Sequence, residues 1–145
     1  MKIEIDQSGK MEDTSKDTVL AFSNHEHYAI LVDRRVKQNI YSKIKKRKIL
    51  QIRLFVIGIY ILLKDQLYNK ALIIVDEEYQ GNEVLIKGLL LDLIRKDLPN
   101  FDHNIIRFER VSKASNAHKL ALSIFRKKLK PNKSITEKEI IKLLT

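Results

Sequence analysis

Ala71-Leu72-Ile73-Ile74-Val75-Asp76 is an unbroken apolar run closed by an acid, and Lys2-Ile3-Glu4-Ile5-Asp6 is a second run with the same ending. Both read as buried strands. The first is apolar on both faces, as a strand in the middle of a sheet is. A strand end is a rigid place to hold a carboxylate, and two adjacent ends can hold a divalent cation between them. Hard cations such as Mg²⁺ take carboxylate oxygen and keep several waters.

Working outward, residues 7–17 are polar and contain Ser8-Gly9, a turn signal. Residues 18–23 and 28–32 read as second and third strands, linked through the turn at 24–27, so residues 2–32 form an antiparallel meander. Asp33 can cap a helical region over 34–67, where Val36, Ile40 and Ile44 recur at spacing four. One helix of that length would reach roughly 50 Å, so a bend or break is expected near 46–49. The β-branched content of 49–63 also permits a strand. After the run 71–76, a helix is expected over 83–98, stopped by Pro99, and a fifth strand over 105–111. Ala117, Leu120, Ala121, Ile124, Phe125 and Leu129 mark the clearest amphipathic helix. Thr136 and Glu139 make a capping box for a last short helix. The predicted order is β-β-β-α-β-α-β-α: an α/β fold with a mixed five-stranded sheet and helices on both faces.

A chain of 145 residues, 44% of them hydrophobic, suits one domain over 1–145 with a real core. The absence of cysteine excludes disulfides, thiol catalysis and Cys-ligated zinc. No signal peptide is read, and the apolar stretch 49–63 is too short for a membrane span, so a cytoplasmic protein with no membrane partner is expected. The net charge of +10 favours a polyanionic partner. That charge is concentrated. Residues 34–53 hold Arg34, Arg35, Lys37, Lys43, Lys45, Lys46, Arg47, Lys48 and Arg53 with no acid. Residues 110–133 hold Arg110, Lys113, Lys119, Arg126, Lys127, Lys128, Lys130 and Lys133, again with no acid. A neutralised helix face interleaves opposite charges; phosphate contact explains these runs better than a merely soluble surface. The expected nucleic-acid-binding residues are Arg34, Arg35, Lys37, Lys45, Lys46, Arg47, Lys48, Lys113, Lys119, Arg126, Lys127 and Lys128.

The element order resembles the ribonuclease H-like superfamily of nucleases, resolvases and integrases. Ile3-Glu4-Ile5-Asp6-Gln7-Ser8-Gly9 is similar to the first strand of RuvC-type Holliday junction resolvases, which ends in an Asp followed by a small-residue turn. Ile74-Val75-Asp76-Glu77-Glu78-Tyr79-Gln80-Gly81-Asn82 resembles their second motif, an acid closing the fourth strand, an aromatic three positions on and an Asn shortly after. Here Asp76 replaces the usual Glu, and Asn82 falls one position early. Asn116-Ala117-His118-Lys119-Leu120-Ala121 is similar to the start of their last helix, which usually carries two acids one turn apart and in some members a His.

The resemblance implies a metal-dependent nuclease using Mg²⁺ or Mn²⁺. Asp6 and Asp76 are the expected ligands, Glu77 and Glu78 rivals of Asp76 for the same role, and His118 a third ligand or general base. The bland alternatives are a loop-start cap for Asp6, a solvated acidic turn for 76–78 and a core-edge histidine for His118. His25 and His27 flank one glutamate and read as a solvated turn. DNA is expected over RNA. A junction resolvase also needs a homodimer, and 49–63 suits either its interface or the monomer core. Two other functions fit the composition: a non-catalytic nucleic-acid-binding domain of the same fold, and a basic protein-interaction domain.

Overall fold

The computed structural model describes residues 2–24, 26–45, 49–67 and 71–144. Three strands open the chain: β1 (Lys2–Ser8), β2 (Thr18–Ser23) and β3 (His27–Val32). β1 pairs antiparallel with β2, and β2 with β3, as the hairpin spacing predicts. Two helices follow, α1 (Arg34–Lys43) and α2 (Leu50–Leu63). Asp33 caps α1 by accepting from the Arg35 N–H. A break is present, earlier than the 46–49 expected: Ile44 leaves α1 in an extended conformation, and 46–48 lie outside the described residues. The rest of the chain supplies β4 (Leu72–Asp76), α3 (Glu83–Ile94), β5 (Ile106–Glu109), α4 (Asn116–Phe125), β6 (Lys133–Ser134) and α5 (Glu137–Leu144).

Among the described residues the sheet has six strands, not five, in the order β5-β4-β1-β2-β3-β6. β4 lies parallel to β1 and to β5, so the first run of the chain is central and its neighbours are β2 and β4. The extra strand, β6, runs parallel to β3 at the edge. It is two residues long and carries no apolar alternation, so no sequence pattern announces it. Hydrogen bonds beyond the strand itself hold it: the Asn132 side chain accepts from Ala29 N–H at 2.8 Å, and Ile135 N–H donates to Leu31 O at 2.9 Å. α4 ends at Phe125, short of Leu129, which is 54% exposed. The capping box forms as expected, with Glu139 N–H donating to Thr136 Oγ1 at 3.2 Å and Thr136 N–H to Glu139 Oε1 at 3.2 Å.

The two sheet faces carry different loads. Ile3, Ile5, Leu20, Phe22, Ile73 and Val75 point into the larger core, which takes in side chains of α1, α2, α3 and α5. Val19, Ala21 and Ala29 point the other way, against Ala121 and Ile124 of α4 alone. α2 is buried along almost its whole length, so of the two roles open to 49–63 the monomer core is the one it fills. Its Gly58 lies under Leu20, where an added Cβ would sit 2.4 Å from Leu20 Cδ1. Among the described residues no helix is long and apolar enough to cross a membrane.

Candidate metal centre

Strand alternation decides where the two aspartates go. Side chains on a strand point to alternate faces. Ile3 and Ile5 enter the larger core, so Asp6 must turn to the α4 face; Ile73 and Val75 do the same, so Asp76 turns with it. The parallel register sets Ile5 beside Val75. The next residue of each strand is an aspartate, and the two carboxylates meet. Glu78, two residues past the end of β4, folds back to join them. Oxygens of Asp6, Asp76 and Glu78 all lie within 4.8 Å of one another. Glu77 is not among these converging carboxylates.

Each acid is held. Asp6 is buried at 5% exposure. Its Oδ1 accepts from the Gln7 N–H at 2.9 Å, and its Oδ2 lies 2.6 Å from His118 Nδ1. Asp76 Oδ1 accepts from the Val111 N–H at 2.8 Å, which ties the site to the chain leaving β5. His118 is placed by its helix: Ser115 caps α4 by accepting from the His118 N–H at 3.1 Å, which fixes the first turn against β1. With Nδ1 donating to an ionised Asp6, the imidazole keeps Nε2 as an acceptor.

Burial pushes the Asp6 carboxyl above its ordinary value; hydrogen bonds from His118 and Gln7 oppose the rise and the Asp76 charge adds to it. Burial also raises Glu78, with Asp76 and Asp6 adding like-charge repulsion. Three carboxylates at this spacing carry more negative charge than one imidazole and two backbone N–H groups offset. The donor set is all hard oxygen. It fits a divalent cation of the Mg²⁺ or Mn²⁺ type, and the three acids could hold one.

The acids line a cleft of about 570 Å³ with Gln7, Arg110, Val111, Ser112, Lys113 and His118. Arg110 and Lys113 are exposed, so two cations flank the carboxylates. The basic residues expected to meet nucleic acid fall into several groups. Arg34, Arg35, Lys45, Lys119, Arg126, Lys127 and Lys128 are exposed. Lys46, Arg47 and Lys48 lie outside the described residues, as does His25. Lys37 is a correction: it is fully buried and cannot face a phosphate. Its ammonium donates to Lys10 O at 3.1 Å, Asp13 O at 2.6 Å and Thr18 Oγ1 at 2.9 Å, so a lysine counted as surface charge fastens the loop after β1. His27 is exposed, with Nδ1 2.8 Å from Ser23 Oγ. Sequence reasoning missed Gln7 as a cleft residue, since a polar side chain next to a candidate ligand carries no signal of its own. Arg110 was legible only as one charge of many.

No protein-family model, curated protein or solved structure matches this chain.

Proposed function

We propose that this chain is a metal-dependent endonuclease of ribonuclease H-like fold, of the kind that cuts branched DNA. The observation that carries the reading is the convergence of Asp6, Asp76 and Glu78 within 4.8 Å at one end of the two central parallel strands. The strand order, a meander whose first strand is central and is joined by β4 and then β5, supports the same reading. So does the pair Arg110 and Lys113, which line the cleft that holds the acids.

In this reading Asp6, Asp76 and Glu78 hold Mg²⁺ or Mn²⁺. A bound divalent ion lowers the pKa of a water and stabilises charge on the phosphate. His118, oriented through Nδ1 by Asp6, presents Nε2 as a proton acceptor. Arg110 and Lys113 hold the phosphate backbone without reading its sequence.

A purified-protein assay on labelled four-way junction and duplex DNA with Mg²⁺ tests this. Cleavage lost by at least a hundredfold in Asp6→Asn supports it. Salt-sensitive binding with no cleavage supports a non-catalytic DNA-binding domain instead. One observation favours that second reading: the first turn of α4 carries no acid and offers only His118, already bonded to Asp6. Absence of binding at low salt would sink both. Within the binding arm, Arg110→Ala and Lys113→Ala are each expected to weaken binding on every sequence and lower the salt slope by about one.

A further inference from the structure

α4 ends in a turn that holds the chain after it in one shape. Lys127 takes a positive φ of 60°, a conformation usually left to glycine at this position. The Lys127 N–H donates to Ile124 O at 2.9 Å and the Lys128 N–H to Ser123 O at 2.8 Å, which closes the helix. Further on, the Asn132 N–H donates to Ala29 O at 2.9 Å and pins the chain to β3. Residues 126–130 are thus held at both ends, and all of them are exposed. They place Leu129, 54% exposed, among Arg126, Lys127, Lys128 and Lys130. An exposed leucine alone is ordinary. A leucine fixed on a closed turn among four cations is a preformed apolar knob with a positive rim.

The opposite edge of the sheet carries a hollow of the complementary kind. Side chains between Asp97 and Ile105, on the link from α3 to β5, line with Leu67 a cavity of about 540 Å³. Leu98, Phe101 and Ile105 are half-buried there. Among the described residues the charges that line it are both negative, Asp97 and Asp102, and both are exposed. The wall is fixed. Arg95 Nη2 donates to Phe101 O at 2.9 Å, the Phe101 N–H to Leu98 O at 3.1 Å, and the Tyr60 hydroxyl to Asp97 Oδ2 at 3.2 Å.

β5 and β6 are the two edges of the sheet; the hollow leads into β5 and the knob into β6. One molecule cannot bring its own two surfaces together. We propose that Leu129 and its flanking cations dock into the Asp97–Asp102 hollow of a second copy of this chain, head to tail. Each docking leaves a free knob at one end and a free hollow at the other, so copies add into rings or open strings rather than closed pairs. The net charge of +10 repels a second copy at long range. At about 0.15 M salt the Debye length is about 8 Å, so the charges in contact decide. The contact uses no residue of the metal centre.

The test is sedimentation velocity of the 145-residue chain with EDTA and no nucleic acid, at about 0.15 M salt and rising chain concentration. The mean mass of wild type is expected to climb with concentration and to pass beyond two chains. Leu129→Ser, at an exposed position, should weaken association at least about tenfold, as loss of one buried leucine does. Asp97→Lys sets a cation against the basic rim and should do the same. Asn100→Lys, on an exposed side chain of the same wall, repeats that test should Asp97→Lys melt early. An equimolar mixture of Leu129→Ser with either hollow variant restores one good contact per pair, so it should associate again and stop at two chains. A two-fold symmetric dimer gives no such rescue. A wild-type chain that stays monomeric to about 1 mM, a variant that associates like wild type, or a mixture that stays monomeric overturns the proposal. If wild type is monomeric and Leu129→Ser instead loses affinity for junction DNA or for phosphatidylserine vesicles, the knob belongs to that partner and not to a second copy.

Discussion

One buried ammonium and one cluster of carboxylates, a single one of them buried, are provisioned in opposite ways. Lys37 is fully buried, and its ammonium meets three acceptors, two carbonyls and one hydroxyl. Its three donors are matched by the protein itself. Asp6, Asp76 and Glu78 put three carboxylates within 4.8 Å and receive far less in return. A charge that the chain satisfies completely serves structure. A charge that it leaves in excess could be met by a cation from outside.

The largest effect expected from this contrast is on Lys37. Lys37→Met keeps much of the volume and removes the donor to Asp13 O and Thr18 Oγ1, while Lys10 O keeps the Asp13 N–H and the Thr18 hydroxyl. Each orphaned acceptor costs about 1–3 kcal/mol, so a loss of about 3 kcal/mol or more is expected, read as a fall in Tm of roughly 10 °C. DNA affinity per folded molecule and its salt slope should not change. A variant that melts like wild type and binds DNA with a shallower salt slope would put Lys37 back among the phosphate contacts.

The carboxylates should respond to a ligand where Lys37 responds to truncation. Mn²⁺ at about a hundredfold its Kd is expected to stabilise the chain by about 2.7 kcal/mol, seen as a rise in Tm that EDTA reverses. Without metal, the raised Asp6 and Glu78 carboxyls hold their protons longer in the folded state than in the unfolded one. Stability conferred by these two groups therefore falls as pH rises from the ordinary carboxylate range through their raised values. Metal reverses the sign, because it binds only the ionised acids. The Mn²⁺-induced shift should accordingly be full at neutral pH and fade as pH falls through that same window. A shift that persists into acid would point to adventitious binding elsewhere.

Much of this was legible in the sequence, and the failures have physical causes. The runs ending in Asp6 and Asp76 carried both the central strands and the site, because alternation along two parallel strands forces neighbouring end residues to one face. The break between α1 and α2 followed from length alone. β6 was invisible, since two residues held by an edge ladder and an Asn132 side chain leave no periodicity. Glu78 could not be separated from Glu77, because beyond the end of β4 no register says which acid folds back. Lys37 was misread because a count of charges does not record the helix face. On α1 it lies three residues before Ile40 and shares that helix's buried side.

The smallest effect is also the sharpest test of the contrast. Asp6→Asn removes one buried charge from the trio and leaves a side chain of the same shape. Asn can still accept from the Gln7 N–H, and its amide can donate to His118 Nδ1 once the imidazole adopts the other tautomer. Wherever the wild-type carboxylate is ionised, it bears its desolvation and the Asp76 repulsion only when folded. The metal-free variant should therefore be more stable than wild type at neutral pH, by less than Lys37→Met costs. The advantage should vanish below the ordinary value of 3.8, where both states of the wild-type acid are protonated. In excess Mn²⁺ the ranking should invert, since only wild type gains from the ion. Urea melts of both proteins with EDTA and with Mn²⁺ measure all four stabilities. If Asp6→Asn is the less stable protein even in EDTA, then its bond to His118 outweighs the cost of burying its charge. The carboxylates would then belong with Lys37, as charges that the fold has already satisfied.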